Sequence, residues 1–159
     1  MPTTLIVDPS KIDKRSVFLT REQVMEYLEQ RFEMLMIDRV LEADKDENYV
    51  VGLNRVGEKE FWAEGHIPGR PIMPGVLVIE TAAQMASIHV KIMDGRLRNK
   101  FIGFAGVNHV KFRKQVLPGQ DLYMVTRIVK MRSRSFTVSA QGFVDDTLVF
   151  EGEIVGIAL

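Results

Sequence analysis

Hydrophobic and polar positions along this chain switch between a helical and a strand period. Val24, Leu28 and Phe32 recur at helical spacing behind Thr20 and Gln23, a capping-box opening, and predict a short amphipathic helix over about 21–30. Two β-rich runs, 34–43 and 48–56, flank the acidic turn Asp44-Lys45-Asp46-Glu47 and predict a hairpin. Regular backbone does not persist through Pro68, Gly69, Pro71 and Pro74, so the stretch around Trp62, Glu64 and His66 reads as a shaped loop. From Gly75 to Met93 no proline and no second glycine intervenes, and the residues are good helix formers, which predicts a helix of about five turns. It is apolar on nearly every side, the pattern of a buried helix. Glu80, Gln84, Ser87 and Lys91, spaced by four, three and four, draw one polar line along it. Beyond Gly95 the chain reads as strands at 101–112, 122–130, 135–144 and 147–157, with turns at Pro118-Gly119 and Asp145-Asp146. About six strands and one long helix give an α+β class, an antiparallel sheet wrapped round the helix. Residues 1–20 follow neither period. They are expected to form an extension, loosely ordered or packed on a neighbour, ahead of one domain over 21–159.

Composition narrows the chemistry more than the fold. The chain has 159 residues, 46% apolar and 26% charged, as expected of one globular domain with a real core. It has no cysteine, which excludes disulfide scaffolds, zinc ribbons, iron–sulfur clusters and thiol nucleophiles. Charge-free stretches reach ten residues, for example from Thr81 to Val90, short of the roughly 18 a membrane span needs. No secretory apolar run opens the chain, so a cytoplasmic location and no membrane span are expected. The histidines lie too far apart for a local metal motif, and neither Gly-x-Ser-x-Gly nor His-Glu-x-x-His occurs, so no metal is expected.

The formal net charge is zero, but it is unevenly spread. Residues 91–134 carry 11 basic and 2 acidic side chains. Arg96, Arg98, Lys100, Lys111, Arg113, Lys114, Arg132 and Arg134 are therefore candidates for docking an acidic or phosphate-bearing partner, with protection of a sheet edge as the alternative. Nucleic acid is disfavoured by the charge balance and by the few aromatics in the basic run.

Three positions carry candidate chemistry. Glu80 lies on the second turn of the long helix, and a carboxylate withdrawn from water favours its acid form, the requirement for a general acid. Gln84, one turn on, is placed to orient it by a hydrogen bond. The competing readings are neutralisation of Glu80 by a neighbouring Arg or Lys, or exposure because the helix is less buried than its pattern suggests. His66, between Phe61-Trp62 and the proline turns, is the candidate general base. His89 and His109 fit core or surface roles better. Gly75, behind Pro74, opens the helix where unpaired N–H groups and the positive dipole end would stabilise a carbonyl gaining negative charge. A base, an acid and an oxyanion donor suit proton abstraction beside a carbonyl with loss of a β-substituent better than nucleophilic catalysis.

The run Glu60-Phe61-Trp62-Ala63-Glu64-Gly65-His66-Ile67-Pro68-Gly69-Arg70-Pro71-Ile72-Met73-Pro74-Gly75-Val76-Leu77-Val78-Ile79-Glu80-Thr81-Ala82-Ala83-Gln84 resembles the active-site block of the broad-range bacterial 3-hydroxyacyl-acyl-carrier-protein dehydratases. The similarity extends to Leu35-Met36-Ile37-Asp38-Arg39-Val40, Phe104-Ala105-Gly106-Val107, Lys111-Phe112-Arg113 and Pro118-Gly119. The resemblance implies a hot-dog fold pairing into a double hot-dog homodimer, in some relatives a hexamer built as a trimer of dimers. It implies His66 as base, Glu80 as acid to the leaving β-hydroxyl, and the Gly75 N–H as donor to the thioester carbonyl. Base and acid at one site then come from different protomers. It implies no cofactor, and acyl carrier protein with its phosphopantetheine arm as partner. Glu29-Gln30-Arg31 replaces a usual Pro-His-Arg, Ile67 a frequent phenylalanine, and Asn108 a frequent aspartate. Thioester hydrolysis and non-catalytic acyl-thioester binding stay open as alternatives on the same fold.

Overall fold

The computed structural model describes residues 3–159. Helix α1 spans Arg21–Tyr27 and opens on a complete capping box, with Thr20 accepting from the Gln23 N–H and the Gln23 side chain accepting from the Thr20 N–H. It stops sooner than its sequence pattern predicts. Leu28 turns extended, and the Arg31 guanidinium takes the carbonyls of Met25 and Leu28 at 2.9 and 2.7 Å. The hairpin is likewise shorter than predicted: β1 is Arg39–Asp44 and β2 is Tyr49–Arg55. Residues Met34 and Met36 stay out of the ladder because the Gln84 side chain holds their backbone instead.

Helix α2 runs Gly75–Met93, followed by β3 (Ile102–Phe112), β4 (Asp121–Met131), β5 (Ser135–Val144) and β6 (Thr147–Ala158). The six strands form one antiparallel sheet ordered β1-β2-β4-β5-β6-β3, which leaves β3 on an edge. Turn chemistry fixes the register. Asp145 and Asp146 both have positive φ, as a two-residue type I′ hairpin demands, and set Val144 opposite Thr147. The sheet curls round α2, whose Ala82, Met85, Ala86 and Ile88 pack among Val50, Met124, Val138 and Phe150. A Cβ at Gly52 would collide with Met85 Sδ, so this glycine lets β2 close on the helix. This is the hot-dog arrangement. By length and composition α2 is apolar enough to cross a membrane, yet it is the core helix of the sheet, with Glu80 and Lys91 along it.

The sheet buries its outer face as well. Leu41, Val51, Leu53, Tyr123, Val125 and Phe143 form a second cluster with Ile12, flanked by Ile6 and Val7. Residues 3–20 are thus neither loose nor packed on a neighbour, as expected above, but a strap across the back of their own sheet. Polar ties hold it: Ile6 N–H to Gln141 Oε1, Gln141 Nε2 to Thr4 O, Thr3 Oγ1 to Glu151 and Lys14 to Asp146. Its end, Leu19, bridges Val40.

Candidate active site

The loop before α2 hangs on two buried anchors, Trp62 and Met73. The Met73 N–H donates to Val116 O at 2.8 Å, the His66 N–H to Trp62 O at 2.9 Å, and Gly69 turns the chain at φ +78°. The His66 Nδ1 lies 2.9 Å from Ile72 O. A carbonyl only accepts, so Nδ1 carries a proton, and in the neutral ring the lone pair is then on Nε2. His66 is exposed on the surface of the chain.

At the start of α2, Pro74 gives no side-chain cap, and the Leu77 and Val78 N–H groups return to Pro74 O at 2.9 and 3.3 Å. The N–H groups of Gly75 and Val76 have no partner within the helix. Gly75 sits under the Phe112 ring, which a Cβ there would meet at 2.9 Å, so only glycine fits without moving the ring.

One and a half turns on, Glu80 Oε1 accepts from Gln84 Nε2 at 2.8 Å. Gln84 is buried and its amide is fully used: Nε2 also donates to Met34 O at 2.7 Å, and Oε1 accepts the buried Met36 N–H at 2.9 Å. The clamp holds the carboxylate at a cavity of about 50 Å³ lined by Ser87, Ile102, Gly103, Phe104 and Gly156 among others. Gly103 of β3 and Gly156 of β6 stand in its wall, and a Cβ at Gly156 would collide with the Phe136 ring. Glu80 is half-buried, less withdrawn than an all-round apolar helix suggests. Among the described residues it makes no salt bridge.

A single chain therefore joins Glu80 to Gln84 but not to His66, since no residue of the 61–74 loop lines the Glu80 cavity. The basic residues also part company. Arg96, Lys100 and Arg132 line an open cleft of about 500 Å³ beyond the C-terminal end of α2, where Arg96 is paired to Asp94 at 2.8 Å. Arg98 stacks 3.6 Å over the Tyr27 ring, and Arg134 lies exposed in the β4–β5 turn. Lys111, Arg113 and Lys114 flank or follow Phe112 near the N-terminal end, with Arg113 tied to Glu151 at 2.8 Å. The run of positive charge is thus two groups at opposite ends of the helix, not one face.

Of the other histidines, His109 is exposed, 3.6 Å from Glu153. His89 is buried against Thr126 Oγ1 at 2.8 Å, and burial, helped by the Arg127 charge, pushes its pKa down to about 4. No cluster of metal-ligating side chains occurs among the described residues.

A family model described as the FabA-like domain matches residues 28–153. The chain belongs to the FabA-like family. Among FabA-like relatives, the 3-hydroxyacyl-[acyl-carrier-protein] dehydratase FabZ of Syntrophobacter fumaroxidans is 41% identical over 133 residues, 84% of this chain and 89% of that one. The FabZ of Streptococcus equi subsp. zooepidemicus is 38% identical over 133 residues, 84% and 93% of the two chains. In structure the chain is similar to the dehydratase heterocomplex ApeI:P of Xenorhabdus doucetiae, with a TM-score of 0.71 at 14% identity, covering 86% of this chain and 90% of that one. The FabA-like match begins after the strap and after helix α1.

Proposed function

We propose that this chain removes water from (3R)-3-hydroxyacyl chains carried on acyl carrier protein, giving the trans-2-enoyl thioester of fatty-acid synthesis. His66 Nε2 takes the α-proton, and the C–H electron pair becomes the new double bond. Glu80 gives its proton to the β-hydroxyl, which departs as water with the C–O pair. The Gly75 N–H donates to the thioester oxygen while that atom carries the developing charge. No cofactor takes part. The observation that carries this reading is the Gln84 clamp, which aims one carboxylate into a cavity that opens on the second turn of α2 and runs along its Glu80–Ser87 face. The names of the FabZ relatives point the same way.

Because the Glu80 cavity holds no part of the His66 loop, the working site is read as shared by two copies. The edge strand β3 is where a second copy would pair: Phe104 and Val107 stand exposed on it. A trimer of such dimers is the further assembly in this reading, and the cytoplasm its setting. Lys111, Arg113 and Lys114, nearest Gly75, are the basic residues best placed to meet an acidic carrier.

The test is mass spectrometry of 3-hydroxyacyl-carrier protein incubated with the enzyme. A product lighter by one water is expected, with His66→Ala and Glu80→Gln each slower by about 10²–10⁴-fold. Release of free carrier thiol would instead mark a hydrolase, and binding without either product a non-catalytic acyl-thioester carrier.

A further inference from the structure

The polar line on α2 does more than hold Glu80. The cavity at Glu80 shares Gln30, Ser87, Ile102 and Phe104 with a second cavity of about 210 Å³, which ends at Lys91. The two are one groove. Its floor is the Glu80–Lys91 face of α2, and its walls are residues 27–30 on one side and the start of β3 on the other. Lys91 is buried, 5% exposed, and its Nζ donates to Tyr27 O at 2.6 Å. An ammonium has three donors, and this contact takes one. Burial pulls the lysine pKa down, against the pull of Glu29, as expected of a cation held away from water.

We propose that Lys91 closes the acyl groove and restricts the enzyme to chains that stop short of its ammonium. The inference rests on the reading of the Glu80 cavity as the site of dehydration. Glu80 and Lys91 are eleven residues apart on one helix, about 16 Å at 1.5 Å per residue. An extended chain advances about 1.2 Å per bond, taken from the roughly 3.3–3.6 Å that three backbone bonds span. Roughly a dozen bonds therefore fit, fewer because a helical side chain leans back toward the N-terminus. A longer chain would press its methyl end on a cation that cannot leave without losing Tyr27. Octanoyl fits this groove and hexadecanoyl does not.

Lys91 also caps the last turn of α1 through Tyr27, and that structural role alone would affect all substrates equally. The experiment separates the two. Dissociation constants are measured for unreactive thioether analogues of butyryl-, octanoyl-, dodecanoyl- and hexadecanoyl-pantetheine, with turnover of the matching 3-hydroxyacyl substrates. Wild type is expected to tighten up to dodecanoyl, by at most about fourfold per methylene, then level off or weaken. Lys91→Met should keep tightening to hexadecanoyl, at least tenfold beyond wild type, with butyryl changed less than twofold. Lys91→Arg, which keeps the charge, should keep the cut-off, and circular dichroism shows that each variant is folded. Parallel profiles in wild type and Lys91→Met, or a wild type that tightens through hexadecanoyl, overturn the proposal. A cut-off in binding with no enoyl product at any length would instead refute the dehydratase reading and leave the groove's limit standing.

Discussion

Replacing Gln84 by leucine removes the clamp while nearly keeping its volume. The Met36 N–H, which lies in the core, loses its acceptor, and an orphaned buried donor costs about 1–3 kcal/mol. Met34 lies at the rim, where water can take over its carbonyl at little cost. The hydrogen bond to half-buried Glu80 adds roughly 1 kcal/mol. The sum, about 2–4 kcal/mol, corresponds to a fall in melting temperature of roughly 5–15 °C for a domain of this size. Differential scanning calorimetry at fixed protein concentration reads it, since any dimer makes the midpoint concentration-dependent. At a temperature where the variant is fully folded, dehydration should still be slower by about 10–100-fold, because a freely rotating carboxylate is misplaced for proton delivery. A midpoint within about 2 °C of wild type, together with unchanged turnover, would show that the clamp neither supports the core nor aims Glu80.

Mixing His66→Ala chains with Glu80→Ala chains restores one intact site in each hybrid dimer if the site is shared, so activity should return to about a quarter of wild type after random exchange, and persistent inactivity after proven exchange would place both groups on one chain. Lys114→Glu, near the Gly75 end, should raise KM for acyl carrier protein more than for a small acyl thioester, and more than Lys100→Glu does at the far end; equal effects on both substrates would discount docking. His89 stays neutral in the fold while the unfolded chain takes up a proton below pH 6.5. Its contribution is therefore present above 6.5 and lost as pH falls toward 4, about 3 kcal/mol in all, and His89→Gln should flatten the urea-unfolding profile across that window.

The long helix, the strand order of magnitude and the hairpin turns were legible because each is written in local signals: an uninterrupted run of helix formers, alternation, and Asp-Asp or Pro-Gly at the corners. The spacing of Glu80 and Gln84 likewise puts them on one helix face. What failed to show was whatever depended on partners distant in sequence. Nothing near Met34 announces that Gln84 will take its carbonyl, so the β-rich pattern runs past the residues that pair. The basic run looked like one surface because sequence proximity hides the fact that β3 carries Lys111 away from Lys100. Residues 3–20 carry no period of their own that marks a strap, although Val50-Val51 and Leu122-Tyr123-Met124-Val125 are apolar on both faces, which signals a sheet covered front and back. Nor does the sequence near His66 or near Glu80 announce that the Glu80 cavity holds no residue of the 61–74 loop.

The strap reverses the order in which this protein is made. Its first residues leave the ribosome long before the seats they occupy: Ile6 waits for Gln141, 135 positions later, and Thr3 for Glu151, 148 positions later. At roughly 5–20 residues per second that is a delay of many seconds during which Ile6, Val7 and Ile12 have no outer sheet to cover. The strap, synthesised ahead of the sheet it covers, is thus bound to be among the last segments to dock, and the back of the sheet stays greasy until it does. A bulky fusion at the N-terminus would act at that late moment, leaving the helix and its groove formed while the rear of the sheet invites aggregation.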